Sequence, residues 1–415
     1  MGVKPMMGTK RWRLAPRDQT GEHPSQPRAT IASGVLLTLV AWLLSRLTVG
    51  AAWGQARNPF SFNPNLWTRW DSFNYTTIAM HGRTFGRCRS PRFSALPNPL
   101  HMKWCGTAGW LPGYPWLIRA VNLSGIALPK AALLISWIGL ATAMFLVWLG
   151  WGRDLPLGRA LVLLLLFGLF PGAVYNFALF PTSVALACVV GALLAAMRER
   201  FLTAALLMFF AGLCYPSSWF AALGLAVGLV LIALPLGEAA IVRRALWGLA
   251  GLASLLVLGL HDQFAYGHAD AYLLMDSQRG LDAKGFPGQD FLRLIFTQNT
   301  VEQKLIGRFG GAVLAVQGAV AVSLSGAAAV VAALAWRRKG RDPALLYPAL
   351  VGIAVVLSVL LLAANGGAWN RSVVLAAPCV ICLRRVPLPV LCAMVAVVGI
   401  TTALISRSFF VGSLV

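Results

Sequence analysis

One carboxylate stands between large aromatics just past the first long apolar run of this chain. It is Asp71, in the stretch Arg69-Trp70-Asp71-Ser72-Phe73-Asn74-Tyr75. A carboxylate at a membrane edge can take the proton of a hydroxyl, and an arginine can hold a phosphate through paired hydrogen bonds. The segment around it is rich in cations: Arg57, Arg69, Arg83, Arg87, Arg89, Arg92 and Lys103. Taken singly, each of these reads equally well as a lipid-headgroup contact, and Asp71 alone as a solvated acid beside interfacial aromatics. His81, His101, His261 and His268 fall at spacings that form no metal-ligand set. Neither a GxGxxG nor a Walker loop occurs, which sets nucleotide-driven chemistry aside. Cys379-Val380-Ile381-Cys382 lies inside an apolar run, where two small buried thiols are the plainer reading than a metal clip.

The elements that must position these residues are membrane helices. Of 415 residues, 58% are hydrophobic and 12% charged, and a soluble domain would carry roughly twice that charge. The 35 Lys and Arg against 13 Asp and Glu give a net charge of +22. In a soluble protein that excess points to nucleic acid. No nucleic-acid-binding pattern is present, and basic loops on one membrane face explain the sign. Residues 1–30 read as a polar, disordered cytoplasmic tail and 31–415 as one membrane domain. The run 31–53 is long and follows an extended tail, so it reads as a retained anchor rather than a signal peptide. Further apolar runs at about 129–151, 159–178, 182–197, 201–215, 218–237, 244–260, 309–336, 343–364, 372–383 and 387–406 bring the expectation to about eleven spans.

With the N-terminus inside, every predicted inner turn is basic: Arg153 and Arg159; Arg198 and Arg200; Arg243 and Arg244; Arg337, Arg338, Lys339 and Arg341; Arg384 and Arg385. Two segments, about 54–128 and 261–308, then fall on the outer face and are too long to be mere connectors. Asp71, Asp262, Asp270, Asp276, Asp282, Asp290 and Glu302 lie on that same side. No acid falls in the middle of a predicted span, which disfavours a proton- or ion-coupled transporter. Arg46 is the one charge well inside an apolar run, close enough to its outer end to snorkel. Chemistry is therefore expected at the outer surface.

Residues 69–82, Arg69-Trp70-Asp71-Ser72-Phe73-Asn74-Tyr75 continuing to Ile78-Ala79 and Gly82, resemble the R-W-D-x-x-[WY]-Y-x-x-I-A-x-x-G pattern of the PIG-V-type GPI mannosyltransferases and their bacterial relatives. Trp110-Leu111-Pro112-Gly113-Tyr114-Pro115-Trp116-Leu117-Ile118-Arg119 is similar to that family's F-F-P-x-Y-P-L-L-I-R, and weaker echoes occur at Phe264–Tyr272 and Asn370-Arg371. Departures are Asn74 and Arg83 where aromatics are usual, Ser183 where many relatives carry Glu, and Cys214-Tyr215-Pro216 in place of a segment that often holds Arg.

The resemblance implies an all-α, GT-C-like membrane glycosyltransferase. Such an enzyme moves mannose or a similar hexose from a polyprenyl-phosphate sugar to a hydroxyl of a lipid or glycan acceptor at the outer face. It implies Asp71 as catalytic base, with Arg69, Arg119 and Arg371 for the phosphate and Trp70, Tyr75, Tyr114 and His268 around the substrate. The donor is then a substrate and no resident cofactor is implied, with a divalent metal left open and nucleic acid not expected. A non-catalytic partner subunit and a transporter are the rival readings, and a partner subunit of this chain is compatible with the first. Cys88 and Cys105 are the cysteines outside the predicted spans, both in the first outer loop, where disulfides persist; a bond between them is expected.

Overall fold

The computed structural model describes residues 30–51, 62–69, 71–88, 90, 102–277, 301–362 and 369–410. Trp70, Asp282 and Asp290, with nearly all of the predicted tail at 1–30, lie outside the described residues. Helix begets helix here through proline. Pro64, Pro129 and Pro343 sit in the first turns of α2 (Pro64–Trp67), α5 (Leu128–Val147) and α15 (Pro343–Leu362). Pro112, Pro156, Pro181 and Pro216 directly precede α4 (Gly113–Asn122), α6 (Leu157–Gly168), α8 (Thr182–Met197) and α10 (Ser217–Ala233). Proline's fixed φ suits a helix start, and its missing N–H is one that has no helical acceptor there.

Among the described residues, six helices are long and apolar enough to cross a membrane: α1 (Ile31–Ala51), the runs Leu128–Gly152, Ser217–Leu236 and Ala315–Arg338, then Pro343–Leu361 and α17 (Leu388–Phe410). Helices α11 (Glu238–Ala250) and α12 (Ala253–Tyr266) meet at a 45° bend and together make a seventh candidate. The chain is an integral, multi-pass, all-α membrane protein. The other apolar runs are shorter as helices. The run 159–178 breaks after Gly168 into α6 and the short α7 (Val174–Phe177). The run 372–383 is α-helical only to Val373 and then becomes a 3₁₀ stretch, Val374–Arg385, buried from Val374 to Leu383. A 12-residue helix such as α6 rises about 18 Å against a hydrocarbon core of about 30 Å. These short pieces, with α8 and α9 (Phe201–Cys214), form the packed centre between α5, α10, α14 (Val301–Lys339) and α15.

Arg46 does not snorkel. Its guanidinium lies 3.8 Å from the Trp67 ring centroid, 4.9 Å from Trp137 and 5.6 Å from Phe177, and the residue is wholly buried. Aromatic faces attract a cation most strongly where water is excluded. The cage ties α2 to α1 and α5, and so fixes the chain just ahead of Asp71.

Both expected long loops contain ordered structure at one end of the bundle. In the first, α3 (Ser72–His81) ends at Gly82, whose φ of +78° favours glycine. A two-stranded antiparallel ribbon follows, β1 (Phe85–Arg87) with β2 (Trp104–Gly106), pairing Gly86 with Cys105. The Cys88–Cys105 disulfide ties the end where the chain leaves β1 back to β2, with Cα atoms 4.9 Å apart, as expected from the sequence. The second loop packs onto this ribbon: Ala271 and Met275 of α13 (Ala271–Asp276) cluster with Phe85 and Trp104. Because the bond spans 17 residues, the chain-entropy model assigns its closure about 3 kcal/mol. The expected result is that neither cysteine alkylates before reduction, by mass spectrometry, and that reduction lowers the melting temperature. Alkylation of both without reduction would exclude the bond in the mature protein.

Candidate active site

Asp71 opens α3, and that helix start is pinned from several sides. The Arg69 backbone N–H donates to the Ser72 hydroxyl over 3.1 Å, and that hydroxyl donates to the Leu179 carbonyl at 3.1 Å. The Arg69 guanidinium donates to the carbonyls of Phe409 (3.2 Å) and Phe410 (2.9 Å) at the end of α17, and to those of Asn65 (3.0 Å) and Thr68 (2.8 Å). Arg69 is thus a brace holding the Asp71 turn to the C-terminal end of α17. Its donors are committed to backbone, which differs from the phosphate role expected for it.

Three hundred residues later in sequence, Arg371 of α16 (Trp369–Val373) donates from Nη1 to Asp71 Oδ2. Both side chains keep about a fifth of their surface exposed, at 22% for Asp71 and 21% for Arg371, so solvent and ligands reach them. Burial alone would push the Arg371 guanidinium down; the adjoining Asp71 carboxylate is the chief influence that holds the cation above its ordinary value. Tyr75 is raised in turn, chiefly by burial, and stays a neutral hydroxyl near the carboxylate. Tyr215 shares a hydrogen bond of 3.2 Å with Ser372, next to Arg371.

The tyrosines are fixed by packing. The Tyr75 ring meets Tyr114 edge-on at 5.5 Å and Phe180 at 6.2 Å. The Tyr114 hydroxyl lies 2.8 Å from the Ser136 hydroxyl and 2.9 Å from the Ala132 carbonyl, which anchors α4 to α5. Tyr114 is fully buried and supports Tyr75 rather than meeting a ligand itself. The Gly113 beside it has no room for a side chain: a Cβ there would stand 2.9 Å from the Leu213 backbone.

Other candidates lie elsewhere. Arg119 lines a cleft of about 360 Å³, walled by Ile78, Ala79, Trp116, Leu213 and Leu258, with His261 beside it. That cleft adjoins the far end of α3, about 15 Å from Asp71 at 1.5 Å per residue. His268 stacks edge-on against Trp104 (4.9 Å) and Phe85 (5.5 Å) on the ribbon, its Nδ1 3.7 Å from Asp270. Of the expected site residues, the structure therefore brings together Asp71, Arg371 and Tyr75, with Tyr114 and Arg69 supporting them. Among the described residues no group of three or more His, Cys, Asp and Glu is placed to hold a metal ion.

Two features were not legible as such. Tyr175 and Tyr215 carry no signal beyond being tyrosines in apolar runs. Arg83 and Asp262 form a fork: Nη1 to Oδ1 at 2.5 Å and Nη2 to Oδ2 at 3.1 Å, with side-chain exposures of 3% and 0%. Arg83 also donates to the carbonyls of Ala108 (2.5 Å) and Trp110 (3.1 Å), and His261 Nδ1 lies 3.0 Å from Asp262. The signal that could have found the pair is an arginine replacing an aromatic just where an acid closes an apolar run. No protein-family model and no curated protein sequence matches this chain.

Proposed function

We propose that this protein is a GT-C-like glycosyltransferase acting at the outer membrane face. It transfers mannose or a similar hexose from a polyprenyl-phosphate sugar to an acceptor hydroxyl. The observation that carries the reading is the meeting of Asp71 with Arg371, an acid and a phosphate-type cation from distant parts of the chain, both partly exposed beside buried tyrosines.

Without a donor, Arg371 neutralises Asp71. A donor phosphate offers the guanidinium a better-matched, doubly bonding partner. Arg371 then moves its charge to the leaving group, and Asp71 is left as a carboxylate beside the anomeric carbon. As the acceptor oxygen bonds to that carbon, its proton passes to Asp71. The carbon–oxygen bond to the phosphate breaks, and its electron pair leaves on polyprenyl phosphate, held by Arg371. The cation-like sugar in between is stabilised by the nearby carboxylate. The apolar cleft along α3, with Arg119 and His261 at its wall, suits a prenyl chain leaving the site.

The test is transfer from labelled polyprenyl-phosphate mannose, against the glucose analogue, in membranes carrying the protein and in membranes lacking it. Protein-dependent label in a lipid or glycan product supports the reading; its absence with both donors favours a non-catalytic subunit. Orientation is checked separately, in a background with Cys392→Ser. A cysteine at Met80, 59% exposed on α3, is expected to react with an impermeant thiol reagent from outside, and one at Arg243 is not. The reverse pattern would move the site to the inner face.

A further inference from the structure

The basic turns of the sequence explain orientation by sign alone, yet two of them build a concave site. Arg153, Arg384 and Arg385, with Asp154, Trp151 and Ala344, line a cavity of about 480 Å³. That volume lies within the range of small-molecule sites. It is far from Asp71. Arg384 stands 13 residues beyond Arg371 along the 3₁₀ stretch, about 25 Å at 2 Å per residue. Trp151 stands 15 residues beyond the Tyr114-bonded Ser136 along α5 and its continuation, about 22 Å at 1.5 Å per residue.

The wall is made deliberately irregular. Helix α5 gives way to a π-helical turn at Trp148–Gly152, an expensive local geometry that is frequent at functional sites. Nε1 of Trp151 donates to the Ala344 carbonyl at 3.0 Å, and Nη1 of Arg384 donates to the same oxygen at 3.2 Å. That shared acceptor fixes the floor and holds the Arg384 fork in place. Arg153 and Arg385 have no hydrogen-bond or ion-pair partner among the described residues. Arg384 is pushed down by burial first and also by its neighbour Arg385, while Asp342 and Asp154 oppose this. Three cations thus face one acid in the lining.

We propose that this cavity binds a phosphate-bearing anion at the end of the bundle opposite the Asp71 site. Arginines recognise phosphate through forked, charge-assisted bonds. The phosphate comes either from an anionic lipid headgroup, for which Leu149 and Leu155 supply an apolar wall, or from a soluble phosphate. The site is independent of the glycosyl-transfer reading.

The test is native mass spectrometry of the full chain in detergent, titrated with phosphatidylglycerol, phosphatidylcholine or inorganic phosphate. The variant Arg153→Gln/Arg385→Gln removes the two arginines without internal partners and so leaves the packing at Ala344 untouched. Its affinity for phosphatidylglycerol or for phosphate is expected to fall at least about tenfold. The control Arg243→Gln/Arg337→Gln removes the same charge from other basic turns and should bind as the parent does. Phosphatidylglycerol retention that inorganic phosphate fails to displace assigns the lipid; displacement by phosphate assigns the free anion, and either supports the site. Unchanged binding in Arg153→Gln/Arg385→Gln overturns it, as does an equal loss in the control, which would mean generic surface charge.

Discussion

Asp71→Asn is expected to lower hexose transfer by about 10²-fold or more, with the protein still inserted and the Cys88–Cys105 bond still closed. Asparagine has the shape of aspartate and keeps an oxygen for the Arg371 fork, but it cannot take a proton at neutral pH. The exchange therefore removes the base and little else. It leaves Arg371 with a neutral neighbour, and with about a fifth of that side chain exposed the cost in stability stays far below that of a dry ion pair. Arg371→Lys separates the second role. A lysine keeps the charge but offers no fork, so donor KM should rise more than kcat falls, whereas Asp71→Asn should act on kcat. Near-normal transfer by Asp71→Asn in folded protein would remove Asp71 as the base and return the chain to the non-catalytic reading.

The membrane class and the helical content were plain from composition, and the reason is physical: in lipid every backbone group must be satisfied internally, so long apolar runs become helices. Which runs cross was not plain. The stretch 372–383 is as apolar as a span, yet from Val374 it forms a 3₁₀ rod wholly enclosed by other helices. Hydropathy reads the surroundings of a residue as apolar whether they are lipid or protein. Asp71 and Arg371 were each candidates, Arg371 only through the resemblance at Asn370-Arg371, but their meeting across 300 residues was not read from the sequence. Arg69 belongs to the same motif and behaves differently, because the α17 carbonyls that consume its donors come from residues 409 and 410. Nothing local to Arg69 announces them. Arg46 likewise looked able to reach water, and three aromatics from separate elements turned it inward.

Asp262→Ala is expected to destabilise the protein by about 3–5 kcal/mol, the usual result of stranding one member of a buried ion pair. The Arg83 side chain is 3% exposed and Asp262 is fully buried, so neither water nor salt can take the partner's place. Arg83→Met costs something different. It leaves Asp262 unpaired except for His261 and also strips the donor from the Ala108 and Trp110 carbonyls. The double variant Arg83→Met/Asp262→Leu removes both charges, and buried pairs replaced by packed apolar residues often lose little. It should therefore recover most of the loss seen in Asp262→Ala, though not all, because the two carbonyls still lack a donor. The pair also joins the end of α3 to α12, and with the ribbon cluster it locks the segments that follow these two helices together. Melting of the purified protein in detergent reads the stability, and limited proteolysis reads the lock: both single variants should be cut faster than the double. An Asp262→Ala protein that melts and digests like the parent would mean that the fork contributes nothing, and that the ribbon cluster alone holds the segments against the membrane domain.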